Sequence, residues 1–293
     1  MKQFIRTAVQ SSLKVVPFKK QLFGTLRLIH PPKRIWSMLN FEGSFQVAVN
    51  NTASFRMWHH GYSSEQHMFW RGLFSWGEDH PLQLWVKLCA DAHVIFDVGA
   101  NIGVYSLVAK TINPTARVFG FEPVGHLHRK FARNCELNGF DIACEHTALS
   151  NQNGSAVIYI KPGGITTASL QQNALRSQSE VIETATISRY AEEMGIERID
   201  LMKIDVEGHE PRVLEGMGPK LLATTPTIII EILSDMIGAK IESILKGHKY
   251  LYFNIDEYKG PIRRSHITAS GLTRHSRNFL LCQMATARKL KLI

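Results

Sequence analysis

Short runs of apolar residues alternate with amphipathic segments over most of the chain after residue 92. Apolar runs bounded by turn residues predict buried strands, and apolar positions three or four residues apart predict helices between them. The predicted strands are 94–98, 117–121, 141–149, 156–160, 200–206, 227–232, 249–255 and 278–283. The predicted helices are 103–111, 124–138, 210–217 and 235–246. This order is typical of an α/β fold with a largely parallel sheet and helices on both faces.

The chain before residue 92 follows a different pattern. Residues 45–57 alternate loosely between apolar and polar positions around Asn50-Asn51, which predicts a hairpin. The aromatic-rich stretch 58–85 predicts helix and loop that pack on the next domain, with a substrate-lining role as the alternative. We therefore predict a basic leader, a strand and helix subregion, and a main α/β domain, at 1–44, 45–90 and 91–293.

The first 36 residues are strongly basic. They hold eight lysines and arginines, no acidic residue occurs before Glu42, and the whole chain carries a formal net charge of +9. Such a segment can contact anionic lipid, nucleic acid or an anionic substrate. The alternative is a solvated leader without a dedicated partner, so peripheral contact of residues 1–36 with an anionic membrane is an expectation that needs a test.

Several features indicate a cytoplasmic protein, peripheral at the inner face of the membrane if the leader binds lipid. No apolar stretch reaches the roughly 18 to 20 residues of a membrane-spanning helix, and the N-terminus lacks the continuous apolar region of a signal peptide. The four cysteines are scattered without a CxxC spacing, which indicates free thiols. No HExxH or comparable ligand spacing occurs, so we expect no metal.

The first strand of the main domain runs directly into a glycine-rich loop. A nicotinamide cofactor would favour GxGxxG, which places a pyrophosphate on the N-terminus of a helix. Here asparagine replaces the second glycine, and an aspartate precedes the loop, which suits a cationic ligand such as S-adenosylmethionine. The predicted cofactor residues in this segment are Asp97, Gly99, Ala100, Asn101 and Gly103.

The second strand ends at Phe121-Glu122-Pro123. A carboxylate at this position can accept hydrogen bonds from two ribose hydroxyls, so Glu122 is a further cofactor residue. Pro123 is also a predicted cofactor residue, and it is expected at the first position of the next helix.

Charged residues cluster at the end of the strand that contains Lys203 and Asp205. Alternation places Lys203, Asp205 and Glu207 on one side, where they form either a buried salt-bridge network or a catalytic site. Asp205 is the first candidate for a base or a hydroxyl-orienting group, with Glu207 and Glu231 as alternatives. His209 titrates near neutral pH, although a histidine after a glycine is commonly a surface or capping residue.

The sequence resembles the FkbM family of methyltransferases. The resemblance rests on DVGANIGVYSLVAK, GFEP, IDLMKIDVEGHEPRVLEGM, PTIIIEI and NFLLC, at 97–110, 120–123, 199–217, 226–232 and 278–282. It implies a Rossmann-like sheet of seven strands with the last one antiparallel. It also implies S-adenosylmethionine as cofactor and O-methylation, often of sugar or natural-product hydroxyls. His209 stands where family members commonly carry a small residue, so the resemblance implies no role for it.

Three alternatives remain at the level of sequence. The basic charge favours a nucleic-acid methyltransferase, but the Asn/Asp-Pro-Pro-aromatic motif of enzymes that methylate base amines is replaced by KIDVEGHE. The basic leader favours an inactive, membrane-apposed binding protein of the same fold. A nicotinamide dehydrogenase is the third alternative, and the missing GxGxxG counts against it. The leading prediction is an O-methyltransferase that acts on a small-molecule or glycan acceptor and binds no nucleic acid.

Overall fold

The computed structural model describes residues 18–75, 77–160, 168–169, 178–272 and 276–293. The chain divides into two compact units, one ending at residue 76 and the other running from Gly77 to Ile293. The boundary between the two units lies inside the predicted subregion 45–90, so the last helix of that subregion belongs to the second unit. There the indole nitrogen of Trp85 donates a hydrogen bond to the carbonyl oxygen of Tyr105 at 2.9 Å. The predicted leader residues 1–17 and Trp76 lie outside the described residues.

The first unit contains the predicted hairpin. Strands β1 (Gly43–Ala48) and β2 (Ser54–His59) are antiparallel, and the Asn50 side chain closes their turn by accepting the amides of Thr52 and Ala53. The helices of this unit are α1 (Lys19–Arg27), α2 (Lys33–Trp36) and α3 (Ser63–Arg71). Its core is rich in aromatic residues, and the buried aromatic side chains are Phe23, Trp36, Phe41, Phe45, Phe55, Phe69 and Trp70. Phe69 and Trp70 of the aromatic-rich stretch therefore lie in the core of their own unit.

The second unit holds the α/β domain. Its strands in chain order are β3 (Val94–Val98), β4 (Arg117–Phe121), β5 (Ile142–Glu145), β6 (Ala148–Leu149), β7 (Gly154–Ile160), β8 (Ala168–Ser169), β9 (Gln178–Ala185), β10 (Leu201–Ile204), β11 (Thr227–Glu231), β12 (Leu251–Asp256), β13 (Gly260–Arg264) and β14 (Asn278–Cys282). Its helices are α4 (Asp79–Cys89), α5 (Val104–Ile112), α6 (Gly125–Glu136), α7 (Ile187–Glu193), α8 (Glu210–Glu215), α9 (Gly218–Leu222), α10 (Asp235–Ile244) and α11 (Met284–Lys289).

The main sheet confirms the predicted α/β class. Its strand order is β13-β12-β14-β11-β10-β3-β4-β5, with the five strands from β11 to β5 mutually parallel. The last strand, β14, is antiparallel to both of its neighbours, as predicted. The predicted number of strands was wrong, because the described residues form eight strands in this sheet. The extra strand, β13, pairs with β12 as a hairpin, and its Pro261 and two arginines gave no apolar signal.

The prediction for residues 141–160 also needs correction. The run 141–149 is two strands: β5 lies at the edge of the main sheet, and β6 pairs with β9 in a second sheet of order β6-β9-β7-β8. Strand β7 is antiparallel to β9 in this smaller sheet. Val157 and Val181 are 42% and 73% exposed, so one side of the sheet faces solvent, as antiparallel sheets commonly allow.

Helices cover both faces of the main sheet. On one face, Ile187 of α7, Val213 of α8 and Ile241 of α10 share an apolar cluster with strand residues such as Met202. On the other face, α6 approaches so closely that an added Cβ on Gly120 would lie 2.4 Å from the Phe131 ring. None of the helices in the described part of the chain is long and apolar enough to cross a membrane.

Candidate functional site

A cleft opens at the carboxyl ends of β3, β4 and β10, the edge at which parallel sheets commonly bind ligands. Its apolar walls are formed by Val98, Phe121, Val124, Leu127, Ala148, Leu149, Ile158 and Val206. Its polar lining comes from Asn101, Glu122, Thr147, Asp205, Glu207 and His209, and Gly99 and Pro123 complete the rim. An apolar slot with a few polar groups at one end fits a nucleoside.

The glycine-rich loop closes one side of this cleft. The amides of Gly99 and Ala100 both donate to the carbonyl oxygen of Phe121, at 3.0 and 2.9 Å. Gly99 has a φ of 83°, and a Cβ added there would lie 1.9 Å from the carbonyl oxygen of Asp205. Gly103 has a φ of 89° at the start of α5. Both glycines are therefore required by backbone conformation, and Gly99 is also required by the close approach of β10.

Glu122 lies on the floor of the cleft, with 5% of its surface exposed. Its two carboxylate oxygens accept the amides of Asn101 and Val124, at 2.8 and 2.9 Å. Burial raises the pKa of Glu122 to about 7. Each carboxylate oxygen keeps acceptor capacity beyond these amides, so Glu122 can receive the two hydroxyls of a ribose.

Pro123 lies in the cleft wall. The prediction that it is the first residue of α6 was wrong. The helix begins at Gly125, after an extended Val124 with φ of −81° and ψ of 114°. Since the Val124 amide bonds the Glu122 carboxylate, the chain turns into the helix two residues later than expected.

Asp97 is not among the cleft-lining residues in the described part of the chain. Its carboxylate accepts both the amide and the hydroxyl of Ser106, at 2.9 and 2.7 Å, and is 2% exposed. Burial raises the pKa of Asp97 to about 6. The sequence predicted that this charge would face a cationic cofactor. The structure instead directs it to the first turn of α5, where it fastens the end of β3 to the helix that follows the loop.

Lys203 is the centre of a second group of polar side chains at the same edge of the sheet. It is 1% exposed, and its ammonium lies 3.2 Å from Asp205 Oδ2 and 3.3 Å from Asn278 Oδ1. It also lies 5.3 Å from the centre of the Tyr105 ring. Burial disfavours the charge of Lys203, but the acids Asp205, Glu78 and Glu231 raise its pKa overall. Asp205 is thus a cleft-lining carboxylate held by a buried cation.

Glu231 and Glu207 occupy different positions in this arrangement. Glu231 ends β11 opposite Asn278 of β14, and burial together with the charge of Asp205 raises its pKa to about 9. Glu207 lines the cleft from a turn, with a φ of 53°. The predicted alternation through Glu207 was therefore wrong, because β10 ends at Ile204 and the chain turns before α8.

Sequence reasoning missed three members of the Lys203 group. Glu78 lies just before α4 and accepts the Tyr105 hydroxyl at 2.6 Å, and Asn278 begins β14. Burial raises the pKa of Glu78, although Lys203 opposes this shift. Glu78 and Asn278 are 200 residues apart in the chain, roughly the length of an entire domain. No local motif brings them together, although the polar asparagine in NFLLC gave a weak signal.

His209 lines the cleft, and its Nε2 lies 2.9 Å from the buried Ser150 hydroxyl. Burial lowers the pKa of His209, which favours the neutral imidazole. The histidine is thus a cleft residue with a fixed partner, not a freely solvated one.

Comparison with known proteins agrees with this geometry. The family model described as the methyltransferase FkbM domain matches residues 97–252. The hexuronic acid methyltransferase AglP of Haloferax volcanii is 28% identical over 173 residues, which cover 59% of this chain and 70% of AglP. The 31-O-demethyl-FK506 methyltransferase FkbM of Streptomyces tacrolimicus is 28% identical over 188 residues, which cover 54% of this chain and 72% of that protein.

A third relative is much longer than this chain. The AMB antimetabolite synthetase AmbE of Pseudomonas aeruginosa is 26% identical over 182 residues, which cover 50% of this chain but 9% of the synthetase. The family model spans more than half of the 293 residues and includes the glycine-rich loop, Glu122 and the Lys203–Asp205 pair. The chain therefore belongs to the FkbM family of S-adenosylmethionine-dependent methyltransferases.

Proposed function

We propose that this methyltransferase transfers its methyl group to a hydroxyl of a sugar, glycolipid or natural product. The observation that carries the proposal is Asp205, a carboxylate that lines the cofactor cleft and is held by the buried ammonium of Lys203. A carboxylate at this place can orient a hydroxyl and accept its proton. The names of AglP and FkbM, which refer to a hexuronic acid and to a 31-O-demethyl substrate, support this acceptor class by analogy.

The cleft suits S-adenosylmethionine in two respects. Glu122 offers acceptors for the ribose hydroxyls, and the apolar walls around Phe121 and Leu149 suit the adenine ring. When bound, the cofactor supplies a methyl group on a sulfonium, a good leaving group, so that positioning the acceptor provides much of the rate acceleration.

Asp205 is the proposed base or hydroxyl-orienting residue. Its side chain is 35% exposed while that of Lys203 is 2% exposed, so the carboxylate reaches the cleft and its partner does not. The Lys203 ammonium, which also donates to Asn278 Oδ1, holds the Asp205 carboxylate on its inner side. Glu231 and Glu207 are the alternative proton acceptors, and Glu231, with its raised pKa, is mostly protonated at neutral pH.

The test is a methyl-transfer assay with labelled S-adenosylmethionine and three acceptor classes at equal concentration. These are uronic acid glycosides, a polyol-type natural product with free hydroxyls, and a structured RNA. Label transferred to a hydroxyl, and located there by mass spectrometry, supports the proposal. Label on RNA alone, with affinity that falls steeply with salt, would instead establish a nucleic-acid methyltransferase.

We expect the affinity for S-adenosylmethionine to depend on pH through Glu122. A carboxylate accepts two ribose hydroxyls, whereas the protonated acid loses part of this capacity. Because the pKa of Glu122 is raised to about 7, the ionised fraction increases between pH 6 and 8. The Kd should therefore fall roughly tenfold over this interval, since it scales inversely with the competent fraction. Calorimetric titration at several pH values measures it.

Two variants make this prediction specific. Glu122→Gln should bind more weakly and with no pH dependence in this range. Glu257→Gln is the matched control, because burial also raises the pKa of Glu257 to about 7 but this residue bonds the amides of Asp79 and His80, outside the cleft. A pH dependence that survives Glu122→Gln would reject Glu122 as the titrating group.

A further inference from the structure

We propose that residues 18–35 form a docking surface for an anionic lipid bilayer. We call this segment the N-terminal surface. It comprises α1, the turn after it and most of α2. The proposal is independent of the acceptor, because it concerns the first unit and not the cofactor cleft.

The N-terminal surface exposes large apolar side chains. Phe18, Leu28 and Ile29 are 76%, 75% and 74% exposed, and Leu22 and Ile35 are 53% and 40% exposed. These five are among twelve exposed large apolar side chains in the described part of the chain. A concentration of this kind within one short segment is typical of a protein or membrane contact.

The same segment is held by buried residues on its inner side. Phe23 of α1 and Trp36 of α2 are 1% and 2% exposed, and their rings lie 6.0 and 6.4 Å from that of Trp70. The Arg71 side chain also donates to the carbonyl oxygen of Pro31 at 3.0 Å. The exposed apolar side chains are therefore presented by a packed scaffold.

The charge of the N-terminal surface selects among possible partners. It carries Lys19, Lys20, Arg27, Lys33 and Arg34, and no acidic residue occurs between residues 18 and 41. A second copy of the chain would bring the same positive charge to the contact, which is unfavourable. Lipid phosphates complement the cations, and the headgroup boundary accepts the apolar side chains, so a bilayer satisfies both features.

The turn between α1 and α2 is the proposed point of insertion. Leu28 and Ile29 are adjacent there, beyond the last residue of α1 and before Pro31 and Pro32. Lys33 and Arg34 follow immediately and are also exposed. This arrangement is typical of a contact at the membrane interface. The apolar side chains enter the bilayer, and the neighbouring cations bind the lipid headgroups.

Vesicle co-sedimentation of the full chain tests the proposal. The vesicles contain phosphatidylcholine alone or a mixture of 70% phosphatidylcholine and 30% phosphatidylglycerol, at about 0.1 M salt, where charges interact over roughly 10 Å. We expect binding to the anionic vesicles at least tenfold stronger than to the neutral ones. The double variant Leu28→Glu with Ile29→Glu should weaken binding to anionic vesicles at least tenfold, and Lys33→Glu with Arg34→Glu should remove the preference for anionic lipid.

The matched control is Val181→Glu with Met236→Glu, which places two carboxylates at positions 73% and 82% exposed outside the N-terminal surface. It adds the same charge as the Leu28 and Ile29 variant and should keep wild-type binding. Circular dichroism and S-adenosylmethionine binding verify that each variant is folded. The proposal would be overturned if the variant Leu28→Glu with Ile29→Glu bound anionic vesicles as strongly as the control Val181→Glu with Met236→Glu. Absence of wild-type binding to anionic vesicles at low salt would overturn it as well. Concentration-dependent dimerisation that only Leu28→Glu with Ile29→Glu abolishes would assign the surface to a second copy.

Discussion

Asp205→Asn should lower kcat by about 10²–10⁴-fold, the range that a positioned base contributes to proton transfer. The substitution keeps the size of the side chain and one carbonyl oxygen, but the amide cannot accept the proton of the acceptor hydroxyl. It also removes the charge that faces Lys203 at 3.2 Å. Initial rates with the acceptor identified in the three-class assay, together with calorimetric titration of S-adenosylmethionine, separate catalysis from cofactor binding. We expect the Kd for the cofactor to change less than threefold.

The control for Asp205 is Asp141→Asn. Asp141 also pairs with a lysine, Lys110, but its side chain is 86% exposed and lies outside the cleft. Its substitution should leave kcat unchanged. Full turnover of Asp205→Asn with unchanged cofactor binding would reject Asp205 as the base. The Gln variants of Glu231 and Glu207 would then decide which carboxylate accepts the proton.

Gly99→Ala should destabilise the second unit by about 3 kcal/mol or more and abolish measurable binding of S-adenosylmethionine. The positive φ alone costs roughly 1–2 kcal/mol with a Cβ present, and overpacking adds about 1–3 kcal/mol. The obstacle is the backbone carbonyl of Asp205, which cannot rotate away as a side chain can. The ends of β3 and β10 must separate, although the Asp205 amide donates to the Val98 carbonyl at 2.9 Å. Urea denaturation and cofactor titration measure the two effects.

Gly139→Ala is the matched control for this substitution. Gly139 also has a positive φ, of 63°, but nothing lies within 4 Å of an added Cβ. Its substitution should cost only the conformational penalty, roughly 1–2 kcal/mol, and leave cofactor binding intact. Equal losses in the two variants would show that the close approach of β10 to the loop has no energetic consequence.

The part of the cleft formed by the glycine-rich loop and Glu122 could be predicted from sequence, while the contacts of these residues with the cofactor stay a prediction. The glycine-rich loop and Glu122 are local features, since each follows a strand whose carboxyl end is determined by the apolar pattern. Asp97 is the exception. Its sequence position is adjacent to the loop, but a strand residue can point to either face of the sheet, and its carboxylate meets Ser106 of α5.

The group of polar side chains around Lys203 could be predicted only in part. The pairing of Lys203 with Asp205 follows from the alternation of a strand, and the structure confirms it. Glu78, Tyr105 and Asn278 surround the same lysine but come from the residue before α4, from α5 and from β14. No spacing rule connects them, because their proximity depends on the docking of α4 and the insertion of β14 between β11 and β12.

The antiparallel last strand was implied by the resemblance to the FkbM family. The apolar pattern of the sequence by itself determined the class of the fold and the strands that carry the site. It did so because burial imposes a continuous apolar pattern on central strands. The tertiary structure alone decided the eighth strand, the separate sheet of β6 to β9, the direction of Asp97 and the set of groups around Lys203. These features depend on contacts between residues distant in the chain, and such contacts leave no period in the sequence.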